Sequence, residues 1–327
     1  MLIDNHNRTI NYLRLAVTDR CNLRCNYCMP SEGIDFAKKN HIFTTDELYR
    51  LSEILVRQGI DKIRITGGEP FVRRDLMVLL RKLSQLKDLE DISITTNATL
   101  IGPHIAELKA LGIRNINVSL DAIDKATFER ITRRDQYDTV YNNLIRLIAE
   151  GFNVRINFIA LENQNTQDIL PILKLMQHYP VSVRFLEEMP FNGGSKTFNT
   201  LAWDYKRILA HILTEFPEVT QLQSPSTSTS INYRIKDHTG TFGLIPSFSR
   251  TFCGTCNRLR ISATGDVITC LYGKPRSNLR EILRGENTEE KIKEHILKAI
   301  GSRSKTGYEE QGKYENVFQN SMTSIGG

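Results

Sequence analysis

Short runs in which apolar residues alternate with polar or charged ones recur along the first two thirds of the chain. They cover Leu13 to Val17, DKIRIT (61–66), DISITT (91–96), IRNINVSLD (113–121), NVRINFIA (153–160) and VSVRFLEE (181–188). A period of two marks a strand with one face in the core. Between these runs the apolar spacing changes to that of helices, over Thr44 or Thr45 to about Arg57, Arg74 to Leu86, Gly102 to Ala110, Tyr137 to Glu150 and Gln167 to His178. Thr44 with Glu47 has the spacing of a helix-opening capping box. Strand and helix in alternation predict a parallel sheet with right-handed crossovers. Six such steps are too few for a closed eight-fold barrel, so the fold expected is α/β, an open partial (β/α)6 barrel of TIM-like type over residues 1–200.

From Trp203 the pattern changes. A helix from about Asp204 to Glu215 leads into the Ser/Thr-rich SPSTSTS (224–230), read as an exposed loop, and then to a hairpin of INYRIK (231–236) and TFGLIP (241–246). A last helix is expected from Glu289 to about Ile300. Residues 201–327 are therefore read as a smaller C-terminal α+β region.

Composition is that of a globular chain, with 24% charged and 40% hydrophobic residues. No stretch has the apolar length of a membrane span, and MLIDNHNRTI lacks the regions of a signal peptide, so a cytoplasmic protein is expected. The net charge of +6 is spread along the chain without a nucleic-acid motif, which favours a local arginine pocket for a small phosphorylated ligand.

Cysteine changes the picture most. Six cysteines fall as two triplets, Cys21/Cys25/Cys28 and Cys253/Cys256/Cys270, a segregation that a disulfide framework does not favour. The first, RLAVTDRCNLRCNYCMP (14–30), follows the first strand with C-x3-C-x2-C spacing. Three thiolates holding a [4Fe–4S] cube leave one iron open to a chelating small molecule. Zinc is the alternative, but it wants a fourth ligand and none is evident nearby. Tyr27, one residue before the last cysteine, can lie flat on an adenine ring. The second triplet, in FCGTCNRLRISATGDVITCLYG (252–273), admits a zinc ribbon or a second cluster, and no cysteine remains to complete the ribbon.

Ligands of parallel β/α barrels bind where strands end. The cysteines, Gly67-Gly68-Glu69-Pro70, Thr95-Thr96-Asn97, Ser119-Leu120-Asp121 and Glu187-Glu188-Met189 all fall there, and are expected to face one cavity. Gly67 and Gly68 let backbone approach a ligand. Arg258 and Arg260 share a strand face, and Arg14, Arg64 and Arg155 lie on predicted strands, where a buried charge needs a partner. Either each arginine is a solvated surface residue, or the five converge on a polyanion.

TDRCNLRCNYCMP, RITGGEP with its following RRDL, TTN, INVSLDA, CGTCNRLR with Cys270, and the terminal IGG together resemble the GTP 3′,8-cyclase family of the radical S-adenosylmethionine (SAM) superfamily, over essentially the whole chain. The resemblance implies that Cys21, Cys25 and Cys28 hold a [4Fe–4S] cluster with SAM, and that Cys253, Cys256 and Cys270 hold a second one facing the substrate. It puts Tyr27, Gly68, Ser119 and Met189 on SAM, and Arg14, Arg64, Thr95, Arg155, Arg258, Leu259 and Arg260 on GTP. Arg14, Arg258, Arg260 and the tail glycines Gly326 and Gly327 are implied in catalysis, although a frayed end is the usual fate of a polar terminus. The implied reaction is reductive SAM cleavage, abstraction of the ribose 3′ hydrogen of GTP and attack on guanine C8, an early step of molybdenum cofactor biosynthesis. Implied partners are an electron donor of unknown identity, a downstream cyclic pyranopterin monophosphate synthase reached through the product, and a second copy in a homodimer. Two positions depart from the family: Arg155 stands where lysine is common and Ala98 where glycine follows TTN. The rivals are a radical SAM peptide-modifying enzyme with an auxiliary cluster, and a non-enzymatic iron–sulfur or zinc module.

Overall fold

The computed structural model describes residues 1–193, 200–286, 288–314 and 320–326. All six predicted strands form: β1 (Tyr12–Ala16), β2 (Lys62–Thr66), β3 (Asp91–Thr96), β4 (Asn115–Ser119), β5 (Asn153–Ala160) and β6 (Ser182–Glu187), each parallel to the next. Alternation decides their two faces. Leu13, Leu15, Ile63, Ile65, Ile94, Ile116, Val118, Ile156, Phe158, Val183 and Phe185 are buried in one core beneath the helices. The intervening positions, among them Arg14, Arg64, Ser93, Asn117, Arg155, Asn157 and Arg184, belong to the opposite, inner face. Polar side chains buried on that face need hydrogen-bond partners.

The helices supply the outer layer. In α1 (Thr45–Arg57) the Thr44 side chain accepts from the Glu47 amide and Glu47 returns the bond, while Leu48, Leu51, Ser52 and Leu55 form the buried stripe. α2 (Leu76–Leu83), α3 (Ile105–Ala110) and α5 (Tyr137–Ala149) follow as expected, and the helix after β5 divides into α6 (Ile169–Leu173) and α7 (Leu175–His178). α4 (Lys125–Thr132) is additional; its signal was Asp124, whose carboxylate caps the Thr127 amide.

The main difference from expectation lies at the edges of the sheet. After α8 (Tyr205–Glu215) come β7 (Val219–Gln221), β8 (Ile231–Ile235) and β9 (Thr241–Ile245), and the predicted hairpin is β8–β9. β9, however, also pairs parallel with β6, and β10 (Arg258–Ile261) pairs parallel with β1. β11 (Asp266–Ile268) and β12 (Ser277–Asn278) continue antiparallel, giving one sheet in the order β12-β11-β10-β1-β2-β3-β4-β5-β6-β9-β8-β7. The partial barrel is thus present, with a strand from beyond residue 201 added at either end. α9 (Arg280–Arg284), α10 (Thr288–Gly301), α11 (Gly307–Gly312) and α12 (Met322–Ile325) complete the chain. Among the described residues no helix is long and apolar enough to cross a membrane.

Candidate functional site: a lumen between two cysteine triplets

β10 runs parallel to β1, so Cys253 and Cys256, which precede β10, lie at the end of the barrel opposite Cys21, which follows β1. Cys270 follows β11, which is antiparallel to β10, and so returns to the same end as Cys253 and Cys256. All six cysteines are free thiols and line one cavity of about 630 Å³. Tyr27, Gly68, Thr95, Ser119, Met189, Arg14, Arg64, Arg155, Arg258 and Arg260 line it as well.

Strand register stacks like charges. Arg14 pairs with Arg64 on β2 and with Arg260 on β10, placing three guanidinium side chains in one row. Like charges directly across a ladder are destabilising. Arg64 is partly satisfied, donating to the Tyr12 hydroxyl and to Thr95 Oγ1 at 3.5 Å, and Arg155 reaches Asn115 Oδ1 at 3.4 Å. Arg14 Nε, Arg260 Nε and Arg258 Nη2 are covered without any partner among the described residues. Burial and then Arg260 hold Arg14 well below its ordinary pKa, and burial and then Arg258 lower Arg260. Burial raises the Tyr12 phenol, but Arg64 and Arg14 outweigh it and leave it below its usual value. Guanidinium groups so placed can make charge-assisted bonds to a polyanion.

Arg184 was missed by the sequence reading. It projects from β6 into the same cavity with Nε unpartnered, and burial, then Arg155 and Arg64, lower it to about 9. Its signal was there in VSVRFLEE, an arginine on the polar phase of an apolar strand.

Several expected cavity residues point elsewhere. Leu259 is buried in the helix-side core, the opposite face of β10 from Arg258 and Arg260, so its side chain cannot touch a ligand in the lumen. Glu69 is fully buried, accepting from Thr96 Oγ1 (2.8 Å) and from the amides of Asn97 (2.6 Å) and Phe71 (3.1 Å). Glu187 is likewise buried and accepts from the amides of Tyr205, Phe248 and Ser249. Both carboxylates pin loops. The glycines before Glu69 have a packing reason beside the ligand one: a Cβ on Gly67 would lie 2.3 Å from Thr18 O, and one on Gly68 2.2 Å from Arg20 O. GGEP is thereby locked to the cysteine loop, with Gly68 N donating to Thr18 O and Glu69 N to Arg20 O. SPSTSTS, read as an exposed loop, contributes Pro225, Thr227, Ser228 and Thr229 to the cavity wall.

Tyr27 donates to Asp121 Oδ2 at 2.7 Å, which fixes its ring at the cysteine end. Burial pushes Asp121 up to about 6 and Glu69 up to about 7. Such carboxyls bind their proton more tightly folded than unfolded, so their contribution is complete below their ordinary pKa and is lost as pH rises through the folded value. The cluster-free protein is therefore expected to lose stability between about pH 4 and 7. Thermal unfolding against pH checks this, and Glu69→Gln should flatten the curve.

Ala98 occupies a left-handed conformation, φ 59°, fully buried after Asn97. That backbone costs a Cβ-bearing residue about 1 kcal/mol or more. Ala98→Gly is expected to stabilise by up to about 1 kcal/mol, read by chemical denaturation. An unchanged midpoint would mean that the lost methyl contact offsets the relief.

Among the described residues, 320–326 are packed rather than frayed. Ser321 Oγ donates to Cys28 O at 2.8 Å and lies 3.8 Å from Cys28 Sγ, and Met322 and Thr323 line the cavity. Gly326 is buried at φ 80°, its carbonyl accepting from Thr66 Oγ1 at 3.3 Å where β2 ends. Gly327 lies outside the described residues.

The cysteine sets fit iron–sulfur clusters. Among the described residues no three Cys, His, Asp or Glu side chains gather closely enough to ligate one metal ion; a cubane, whose thiolates each take a different iron, does not require that. Donors to sulfur are in place, since Leu23 N (3.4 Å) and Asn97 Nδ2 (3.7 Å) approach Cys21 Sγ. Burial pushes the Cys21 thiol up to about 12, the cost that coordination to a cation removes. Burial also raises Cys256, but Arg258 and Arg303 more than offset it and leave it at about 7.

Comparison with known proteins agrees with this geometry. The model of the Radical SAM superfamily matches residues 15–176, and that of Molybdenum Cofactor Synthesis C matches residues 181–309. Streptococcus suis SuiB bound to S-adenosylmethionine shares the fold, with a TM-score of 0.63 at 16% identity over 90% of this chain and 68% of that one. Fold and cysteine geometry thus define a radical SAM protein, a class that carries SAM and a [4Fe–4S] cluster as cofactors, with a second cluster in the C-terminal part. The mitochondrial GTP 3′,8-cyclase of Arabidopsis thaliana is 36% identical over 100% of this chain and 84% of that protein. The chain belongs to the GTP 3′,8-cyclase family. It spans about half of longer animal relatives, such as molybdenum cofactor biosynthesis protein 1 of Drosophila melanogaster, 38% identical over 92% of this chain and 53% of that protein.

Proposed function

We propose that this chain converts GTP to (8S)-3′,8-cyclo-7,8-dihydroguanosine 5′-triphosphate, with SAM at the Cys21/Cys25/Cys28 end and the nucleotide between the two triplets. The observation that carries the reading is the row Arg260–Arg14–Arg64, largely unpaired, inside a cavity bounded by both triplets. When bound, the first cluster and SAM supply the electron and the hydrogen-abstracting radical. The chain's own part is placement and exclusion of water. Arg14, Arg64, Arg155, Arg184, Arg258 and Arg260 take the triphosphate in charge-assisted bonds, Thr95 adds a hydroxyl, and Cys253, Cys256 and Cys270 hold the group against which the base is set. Tyr27, Gly68, Ser119 and Met189 surround SAM. The tail glycines Gly326 and Gly327 assist catalysis. The electron donor, the passage of product to a following synthase, a cytoplasmic location and a homodimer belong to the same proposal.

The test is anaerobic incubation of the reconstituted protein with SAM, a reductant and GTP, following 5′-deoxyadenosine and cyclised nucleotide together. GTP-dependent formation of both supports the reading. Deoxyadenosine without a cyclised nucleotide moves the substrate elsewhere, and neither product from a protein with both clusters intact rejects the reading.

A further inference from the structure

The first ten residues form a small closed structure, from which Arg8 alone reaches the cavity wall. Ile3 bridges Thr9, Ile10 N donates to Leu2 O, and the turn passes through Asn7 at φ 60°. Inside it Asp4, 4% exposed, accepts from the amides of His6 and Arg8 and from Arg8 Nε at 2.7 Å. Arg8, itself buried, then spends its remaining nitrogens on three carbonyls: Nη1 donates to Cys253 O (2.9 Å) and Lys305 O (3.0 Å), Nη2 to Ser304 O (3.1 Å). Arg303 completes the unit, its guanidinium 3.4 Å from Asp4 and its carbonyl accepting from Asn5 Nδ2 and paired with His6 Nε2, each at 3.0 Å.

These bonds join three segments far apart in sequence: the N-terminal hairpin, the C-x2-C knuckle, and the stretch 303–307 that lies over the knuckle. Gly307 closes that stretch, where a Cβ would lie 3.4 Å from Cys253 Sγ. Arg303, Ser304, Lys305 and Gly307 line the cavity beside Cys253.

We infer that Asp4, Arg8 and Arg303 form a positioning unit for the second cysteine triplet, with Arg8 as the residue that fixes Cys253 against the 303–307 segment so that the second cluster can assemble. The guanidinium is needed for its planar spread of donors, which reaches three carbonyls and a carboxylate at once; a lysine ammonium keeps the charge without that geometry. This inference rests on the second triplet holding a cluster, and leaves the first triplet, at the other end of the lumen, independent of Arg8.

The experiment compares wild type, Arg8→Lys and the milder Asn5→Ala/His6→Ala pair, each reconstituted anaerobically. Iron and sulfide are counted, and electron paramagnetic resonance spectra of the reduced protein are recorded with SAM alone and with GTP alone. In Arg8→Lys, iron and sulfide are expected to fall by about half, with the SAM-perturbed signal of the first cluster kept and the GTP-perturbed signal lost; the double variant should lie between. Full iron content with an unchanged GTP-perturbed signal in Arg8→Lys overturns the inference. So does equal loss of both clusters in both variants, which would mark a general folding defect. A wild type that takes up iron for one cluster only overturns the two-cluster reading, and this inference with it.

Discussion

Arg14→Met is expected to stabilise the nucleotide-free protein while weakening GTP binding on the order of a hundredfold. Arg14 stands between Arg64 and Arg260 in register, its Nε without a partner, on a strand whose other face is sealed in the core. Replacing buried charge by an apolar side chain of similar length is often neutral or stabilising by about 1–4 kcal/mol. Arg14 still meets solvent through the cavity, so the low end applies, about 1 kcal/mol, or about 1–2 °C in Tm for a chain of this size. With a triphosphate present the sign reverses, because the lost contact is a charge-assisted one between desolvated partners, costing about 2–5 kcal/mol. Differential scanning calorimetry with and without GTP, together with titration calorimetry at matched iron content, reads both arms. A fall in Tm with affinity retained would make Arg14 a structural residue and remove the main support for a triphosphate in the lumen.

Removing Gly326 and Gly327 should leave iron content and SAM binding intact and reduce cyclisation by a factor of 100 or more. Gly326 is buried at the end of β2, hydrogen-bonded through its carbonyl, and a Cβ there would come 3.1 Å from Ala16 Cβ. At φ 80° that Cβ would also be strained, so both space and backbone demand glycine. Gly326→Ala is expected to reduce turnover less than the deletion, because a methyl group disturbs the seat without emptying it. Anaerobic product formation at saturating SAM and GTP, with KM determined separately, shows whether the loss falls on kcat, as the catalytic role proposed for the tail glycines requires. Full turnover by the truncated protein would return the tail to the status of a packed terminus.

Much of the fold was legible because it is local. The period-two runs placed β1 to β6 within two residues, and Thr44 with Glu47 marked the start of α1. The site was legible where chemistry is concentrated in few residues: six cysteines in two groups, and arginines on strands that had no reason to be charged.

What the sequence by itself determined was therefore the set of parts: a run of β/α units, two cysteine triplets, a row of strand arginines and a glycine end. Tertiary structure alone decided their arrangement. Pairing of β10 with β1 joins residues more than 240 positions apart, and no local periodicity encodes such a contact. That one pairing sets the triplets at opposite ends of the lumen and brings Arg260 level with Arg14. It also turns Leu259 into the core, because a strand offers only two faces and the arginines take the inner one. Glu69, Glu187 and Arg8 show the same limit. Their partners lie on other segments, and whether a charged side chain binds a ligand or pins a loop depends on which donors and acceptors the closed fold brings within reach.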